Sequence, residues 1–297
     1  PCETGVPAYT GYEYLASTTG QANATYIDSS NLVFGVQYCY MVVAIFPDGA
    51  ESYASVEFCA ELDRSIPILT NVDVVSTDIT SGSIDLRWVA PDTIDSVAVP
   101  PPYSYSLERS EDNVSFTSIY TGNNIQQDTF YTDVNLNTEE IQYFYRVSFY
   151  GDGGNQLIGY NQPASSPYLE LFPFDKSMFL QINATTPWNI DSMVIFRENP
   201  TGSGNFDSIT TFYGTGPYQD TGLVNGEVYC YYVKTWGSYS GGSLPTPLLN
   251  RSQINCSAPI DTTGPCPPKL DYDSDCDIGF LRLFWTDQSG SLCSDDI

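Results

Sequence analysis

The chain has 297 residues, with 10 Lys+Arg against 36 Asp+Glu, a formal net charge of −26 and no histidine. The acid excess argues against nucleic acid as a partner, and missing histidine removes the commonest near-neutral acid–base group and the usual nitrogen ligand for zinc. No stretch approaches the roughly 20 apolar residues of a membrane-crossing helix, whereas a hydrophobic fraction of 41%, with 14% aromatic, is ample for packed cores.

From the N-terminus, the first clear element is Tyr26-Ile27-Asp28, followed by Leu32, Gly35 and a strand through Tyr38, Tyr40 and Val42. The series returns as Tyr131-Thr132-Asp133, Leu136, Tyr143, Tyr145 and Val147. It returns again as Tyr218-Gln219-Asp220, Leu223, Gly226, Tyr229, Tyr231 and Val233. Steps of 105 and 87 residues between the leading tyrosines are domain-sized. Alternation with period two puts Tyr38, Tyr40, Val42, Ala44 and Phe46 on one strand face, directed into a sandwich core. The tyrosine opening each long strand is placed to tie down the preceding loop through its hydroxyl. The recurring Asp28, Asp133 and Asp220 read as turn residues that hydrogen-bond the backbone.

Ahead of the second series, Ile84, Leu86 and Trp88 alternate inward on a strand that Pro91 stops. A proline-rich loop from Asp92 to Pro102 follows, then Tyr103, Tyr105 and Leu107, then a shorter strand from Phe116 to Tyr120. The third domain repeats this order with Phe179 to Ile182, Met193 to Phe196 and Phe206 to Phe212. Ile182 stands where Trp88 stands, and Trp188 lies in the next loop, over the core edge. Leu281, Leu283 and Trp285 begin the pattern once more. The expected division is therefore residues 1–60 as the C-terminal part of one domain, 66–171 and 173–258 as complete domains, and 264–297 as the first strands of another. Proline-bearing linkers at Asp63 to Pro67, Phe172 to Phe174 and Pro259 to Pro265 predict a stiff, extended string.

Eight cysteines without a CxxC pair read as disulfides of an oxidising compartment, outside the cell or on its outer surface. Cys39 and Cys59 share the outward parity of adjacent strands and are expected to pair, as are Cys230 and Cys256. Cys266 and Cys293 form the third expected pair. Cys2 and Cys276 are left over, with Cys276 able to exchange with Cys266. In the second domain, Phe144 takes the place of the first cysteine, and Ser166 or Tyr168 is expected opposite it.

The pattern Leu-x-x-Gly-x-x-Tyr-x-Tyr-x-Val with an early-strand Trp resembles the fibronectin type III superfamily, which implies an all-β chain of tandem fibronectin III/immunoglobulin-like sandwiches. The stretches Tyr38 to Ser52, Asp220 to Gly226 and Tyr229 to Lys234 are similar to the large gliding motility-associated surface proteins of Bacteroidota. That resemblance implies export by type IX secretion machinery and a place on the cell surface or beyond it. It also implies O-glycans on Asp-Ser/Thr-aliphatic sites, for which Thr93, Ser96, Ser192 and Ser208 qualify.

Other candidate sites stand beside plainer readings. Asp271, Asp273, Asp275 and Asp277 alternate in a way that offers oxygen ligands to calcium, against a solvated acidic loop. Trp188 and Trp236 are the tryptophans with which a sugar could stack. No catalytic constellation stands out, since no histidine is present to activate a serine, so the chain is read as not an enzyme. The expected role is a spacer or scaffold within a longer secreted polypeptide, whose other domains are its first partners. The alternatives are a polysaccharide- or protein-binding module and an accessory region of a polysaccharide-degrading enzyme.

Overall fold

Apolar and polar residues alternate along nearly every extended segment, and in the computed structural model those segments become strands. Residues 5–6, 11–20, 22–28, 32, 37–61, 65–239, 244–262, 268–275, 277 and 279–286 are described. Gly35, Cys2, Cys266, Cys276 and Cys293 lie outside them, so the Cys266–Cys293 pairing and the two leftover cysteines do too. The first strands, β1 (Gln37–Tyr40) and β2 (Phe58–Glu61), are antiparallel, with Cys39 opposite Cys59.

The second module begins with β3 (Ile68–Ser76) and β4 (Gly82–Val89), then β5 (Ser104–Ser110), β6 (Thr117–Gly122), β7 (Phe130–Leu136), β8 (Phe144–Gly151), β9 (Gln156–Tyr160) and β10 (Ala164–Ser165). One sheet runs β3-β4-β7. The other runs β10-β8-β5-β6, with β9 also on β8. The inner faces meet as a sandwich. Ile84, Leu86 and Trp88 from β4 pack with Tyr105 and Leu107 from β5 and Tyr145, Val147 and Phe149 from β8, all buried. Trp88 meets the Tyr105 ring edge-on at 5.7 Å.

The third module uses the same plan: β11 (Tyr168–Phe174), β12 (Ser177–Asn183), β13 (Asn189–Glu198), β14 (Phe206–Tyr213), β15 (Tyr218–Thr221), β16 (Tyr229–Ser238), β17 (Leu248–Arg251) and β18 (Asn255–Ser257). Its sheets are β11-β12-β15 and β14-β13-β16-β17, with β18 also on β16. Leu169, Leu180, Ile182, Ile195, Tyr231 and Val233 lie in its core. Strand order and burial make the chain an all-β tandem of fibronectin III/immunoglobulin-like sandwiches. A last hairpin, β19 (Lys269–Asp275) with β20 (Phe280–Thr286), pairs Leu270 with Trp285 and Tyr272 with Leu283.

Three expectations are corrected. Phe172 to Phe174 is no linker: it ends β11, whose whole length from Tyr168 pairs with β12. Ser165, neither Ser166 nor Tyr168, stands opposite Phe144, because Tyr168 has already crossed into β11. The string is not extended between the two complete modules either; they lie side by side and share an interface.

Candidate functional site

The strongest constellation of side chains is the seam between the second and third modules. Strand β3 is the outer strand of its sheet, with backbone groups that need partners. Strand β17 of the third module runs alongside it and supplies them through side chains. Asn71 Nδ2 donates to Leu249 O at 2.7 Å, and Val72 N to Asn250 Oδ1 at 2.8 Å. Arg251 N donates to Asp73 Oδ1 at 2.7 Å, and Arg251 Nε to Val74 O at 3.0 Å. Ile254 N donates to Thr77 Oγ1 at 2.8 Å, closing the series. These bonds join the two edges without merging two sheets into one.

Beneath this polar seam the apolar cores join. Trp188, Tyr239 and Leu248 of the third module belong to the same buried cluster as Leu69 and Val72 of the second. Trp188 meets Tyr239 at 6.0 Å with the rings steeply inclined, and the Tyr239 hydroxyl donates to Leu69 O at 2.8 Å. Gly237 makes room for this: a Cβ there would lie 2.5 Å from Asn189 O and 2.7 Å from Trp188 Cδ1. A second tie joins the modules at the chain crossover, where Ser165 N donates to Thr185 O at 2.7 Å and Thr185 N to Ser165 Oγ at 3.0 Å.

Burial at the seam alters the charged groups. It raises the Asp73 carboxyl above its usual range, and the Arg251 guanidinium and backbone N–H pull it part of the way back. The Tyr239 hydroxyl is pushed up by burial alone.

Inside each complete module a carboxylate latches the two sheets. Asp133 on β7 accepts from Arg109 Nη1 at 2.9 Å and from the Tyr145 hydroxyl at 3.0 Å. Asp220 on β15 accepts from Arg197 Nη1 at 2.6 Å and from the Tyr231 hydroxyl at 2.9 Å. In the first module the Tyr40 hydroxyl donates to Asp28 at 3.0 Å. The Asp133 and Asp220 carboxylates therefore bridge sheets, which corrects their reading as turn residues, whereas Asp28 lies in no strand. Arg109 and Arg197 escaped the sequence reading, although they precede their aspartates by 24 and 23 residues. The opening tyrosines do hold their loops: Tyr143 OH accepts from Asn137 N at 3.3 Å, and Tyr229 OH from Val224 N at 3.1 Å.

The remaining candidates are dispersed. Disulfides join Cys39 to Cys59 and Cys230 to Cys256, each across neighbouring strands. Trp188 is 4% exposed, so it is part of the seam and no platform for a sugar. Trp236 is half-buried on β16, with Lys234 Nζ 5.3 Å from its ring centre. Asp271, Asp273 and Asp275 form a row along β19 instead of a loop. Alternate residues of a strand stand about 6.8 Å apart; Asp277 lies past the row, in a turn. Among the described residues, the one compact group of potential metal ligands is Cys39, Glu57 and Cys59, and there the two sulfurs are bonded to each other. Thr93, Ser96 and Ser208 are exposed, whereas Ser192 is half-buried between Tyr213 and Trp236 on neighbouring strands. The loop from Asp92 to Pro102 folds onto its own module, Pro100 O and Pro102 O accepting from Asp152 N and Gly153 N.

No protein-family model matches the chain, and no curated protein matches it. Solved structures similar to parts of it include a pectate lyase from Pectobacterium carotovorum, at 15% identity and a TM-score of 0.26 over 36% of this chain and 30% of that one. The chain thus spans under a third of that enzyme's length. The FN1-FN3 domains of chicken CNTN1 align at 10% identity and a TM-score of 0.25, over 75% of this chain and 78% of theirs. The central fibronectin-III array of RIM-binding protein aligns at 12% and 0.25, over 74% and 79%. All these TM-scores are low, and the sandwich fold is read from the chain's own strand order and core.

Proposed function

We propose that the chain is a spacer segment of a large extracellular or surface protein, with residues 66–258 as a stiff double module. The seam between β3 and β17 carries this reading. A flexible tether has no use for five side-chain-to-backbone bonds and a shared aromatic core, whereas an element that fixes distance and angle does. The charge of −26 keeps neighbouring copies apart. The disulfides favour an oxidising location. The similarity of Tyr38 to Ser52 to gliding motility-associated proteins supports export by type IX secretion to the cell surface; failure of an antibody to label intact cells would remove that part.

Rigidity is tested with spin labels at Val114→Cys and Val224→Cys, both exposed and one in each module. The expected distance distribution is a single narrow peak that broadens when Tyr239→Ala is added. A broad distribution in the parent protein would sink the reading.

A further inference from the structure

The seam also makes one surface out of the two complete modules. Strands β17 and β3 run side by side in the same direction, with Leu249 beside Asn71, Asn250 beside Val72 and Arg251 beside Asp73. Asn250 and Val72 turn inward and are buried, so Leu249 and Arg251 share the outer face with Asn71 and Asp73. Register carries one straight row of that face over the third module through Tyr213, Ser192, Trp236 and Leu249. The row continues past the seam through Asn71, Arg87 and Phe130.

The row is aromatic and open: Tyr213 is 94% exposed, Phe130 44% and Leu249 36%, with Trp236 half-buried among them. Tyr213 and Trp236 stand two strand spacings apart, about 9.6 Å, close to the length of two sugar units in an extended β-linked chain. The row is also set among cations. The whole chain has 10 Lys+Arg against 36 Asp+Glu, yet this row and the next hold Arg87, Lys234 and Arg251 against Asp73 and Asp85. Lys234 and Arg251 face each other directly, a pairing that repels unless an anion lies near, and Asp73 beside Arg251 answers only one of the two charges. Lys234 Nζ is 5.3 Å from the Trp236 ring centre, and the Arg87 guanidinium is 4.9 Å from that of Phe130. Ring and cation thus stand together at two places on the row.

We propose that this row binds an extended, β-linked acidic polysaccharide laid across the strands. A uronic acid unit offers the two matching groups, a sugar ring for the aromatic face and a carboxylate for the cation beside it. A neutral glycan would leave the Lys234 and Arg251 pair unanswered. Screening at physiological salt confines electrostatics to about 8 Å, so a ligand here meets these cations more than the acid excess elsewhere on the chain. The inference goes beyond the spacer reading, which needs no ligand; the spin-label distance tests that reading whatever the row binds.

The test titrates the whole chain by calorimetry, in calcium-free buffer, with β-linked oligomannuronate and with β-linked oligomannose, the same chain without carboxylates. Oligomannuronate is expected to bind, and oligomannose to bind at least about tenfold more weakly. Tyr213→Ala and Lys234→Gln should each weaken oligomannuronate binding about threefold to tenfold, the second also flattening its salt dependence. Phe130→Ala, in the other module, should weaken it about threefold. Tyr213 and Phe130 are exposed, so their variants should keep the parent's circular dichroism and unfolding transition. Tyr160→Ala removes an exposed ring from the other sheet of the second module and should bind as the parent does. A parent that does not bind oligomannuronate, or oligomannose binding equally well, would overturn the proposal. So would undiminished binding by Tyr213→Ala, Lys234→Gln or Phe130→Ala, or lost binding in Tyr160→Ala.

Discussion

Val147 and Val233 are fully buried, yet Val42, at the same place in the same repeat, is 71% exposed. Trp88 and Trp285 differ in the same way, at 3% and 69% exposed. Alternation in a sequence states which face of a strand is apolar, but burial requires the opposing sheet. In the complete modules strands β4 and β8 supply one another's cover; the end hairpins have the pattern without it among the described residues.

The contrast can be tested in order of expected effect. Leu86→Ala should lower the stability of the complete modules by about 2–5 kcal/mol, the usual range for a large-to-small core change. Leu283→Ala should leave that denaturant-monitored transition within about 0.5 kcal/mol; equal losses at both positions would break the comparison. Replacing both Cys230 and Cys256 by Ser opens a loop spanning 26 residues, and should cost about 3 kcal/mol by chain entropy. In the second module, Phe144 opposite Ser165 does without any bridge, so reducing agent should shift protection from hydrogen exchange more in β16 and β18 than in β8 and β10.

A smaller loss is expected from Tyr145→Phe. It removes the hydroxyl bonded to Asp133 at a buried site and should cost about 1 kcal/mol in chemical unfolding. Tyr40→Phe acts on a more exposed hydroxyl and should change little. The smallest effect concerns pH. Burial raises the folded-state pKa of Asp73 above its unfolded value, so its charged form is disfavoured by folding. Asp73 thus opposes stability increasingly as pH rises from about 3.9, the unfolded value, through the raised folded one, and contributes no such penalty below both. The melting temperature of Asp73→Asn minus that of the parent should therefore increase with pH across this window. A flat difference would show that Arg251 cancels the burial.

Most of the fold could be read from local pattern. Ile84, Leu86 and Trp88 announce an inward face by period two, and Pro91 ends the strand, because both signals act within a few residues. The seam could not be read so. Asn71 and Leu249 are 178 positions apart, and nothing in an asparagine indicates which distant backbone it will serve. Trp188 shows the same limit, since a loop tryptophan has the same local sequence whether it faces solvent or fills a neighbouring module. The latch was within reach: Arg109 and Arg197 keep nearly the same spacing to their aspartates, a repeat signal hidden by attention to tyrosines. Misplacing Phe172 to Phe174 as a linker has a similar origin, since Pro173 suggests a break but is tolerated on the outer strand β11.

The division of the last long strand of the third module into β17 and β18 has a mechanical consequence. Strand β17 holds the neighbouring module, while β18 holds Cys256, which is covalently attached to Cys230 on β16. Tension arriving from beyond residue 258 meets that covalent link first and passes into β16, the middle of the sheet. The residues gripping β3 lie on the unloaded side of the link, so the angle between the modules is maintained while the chain is being pulled.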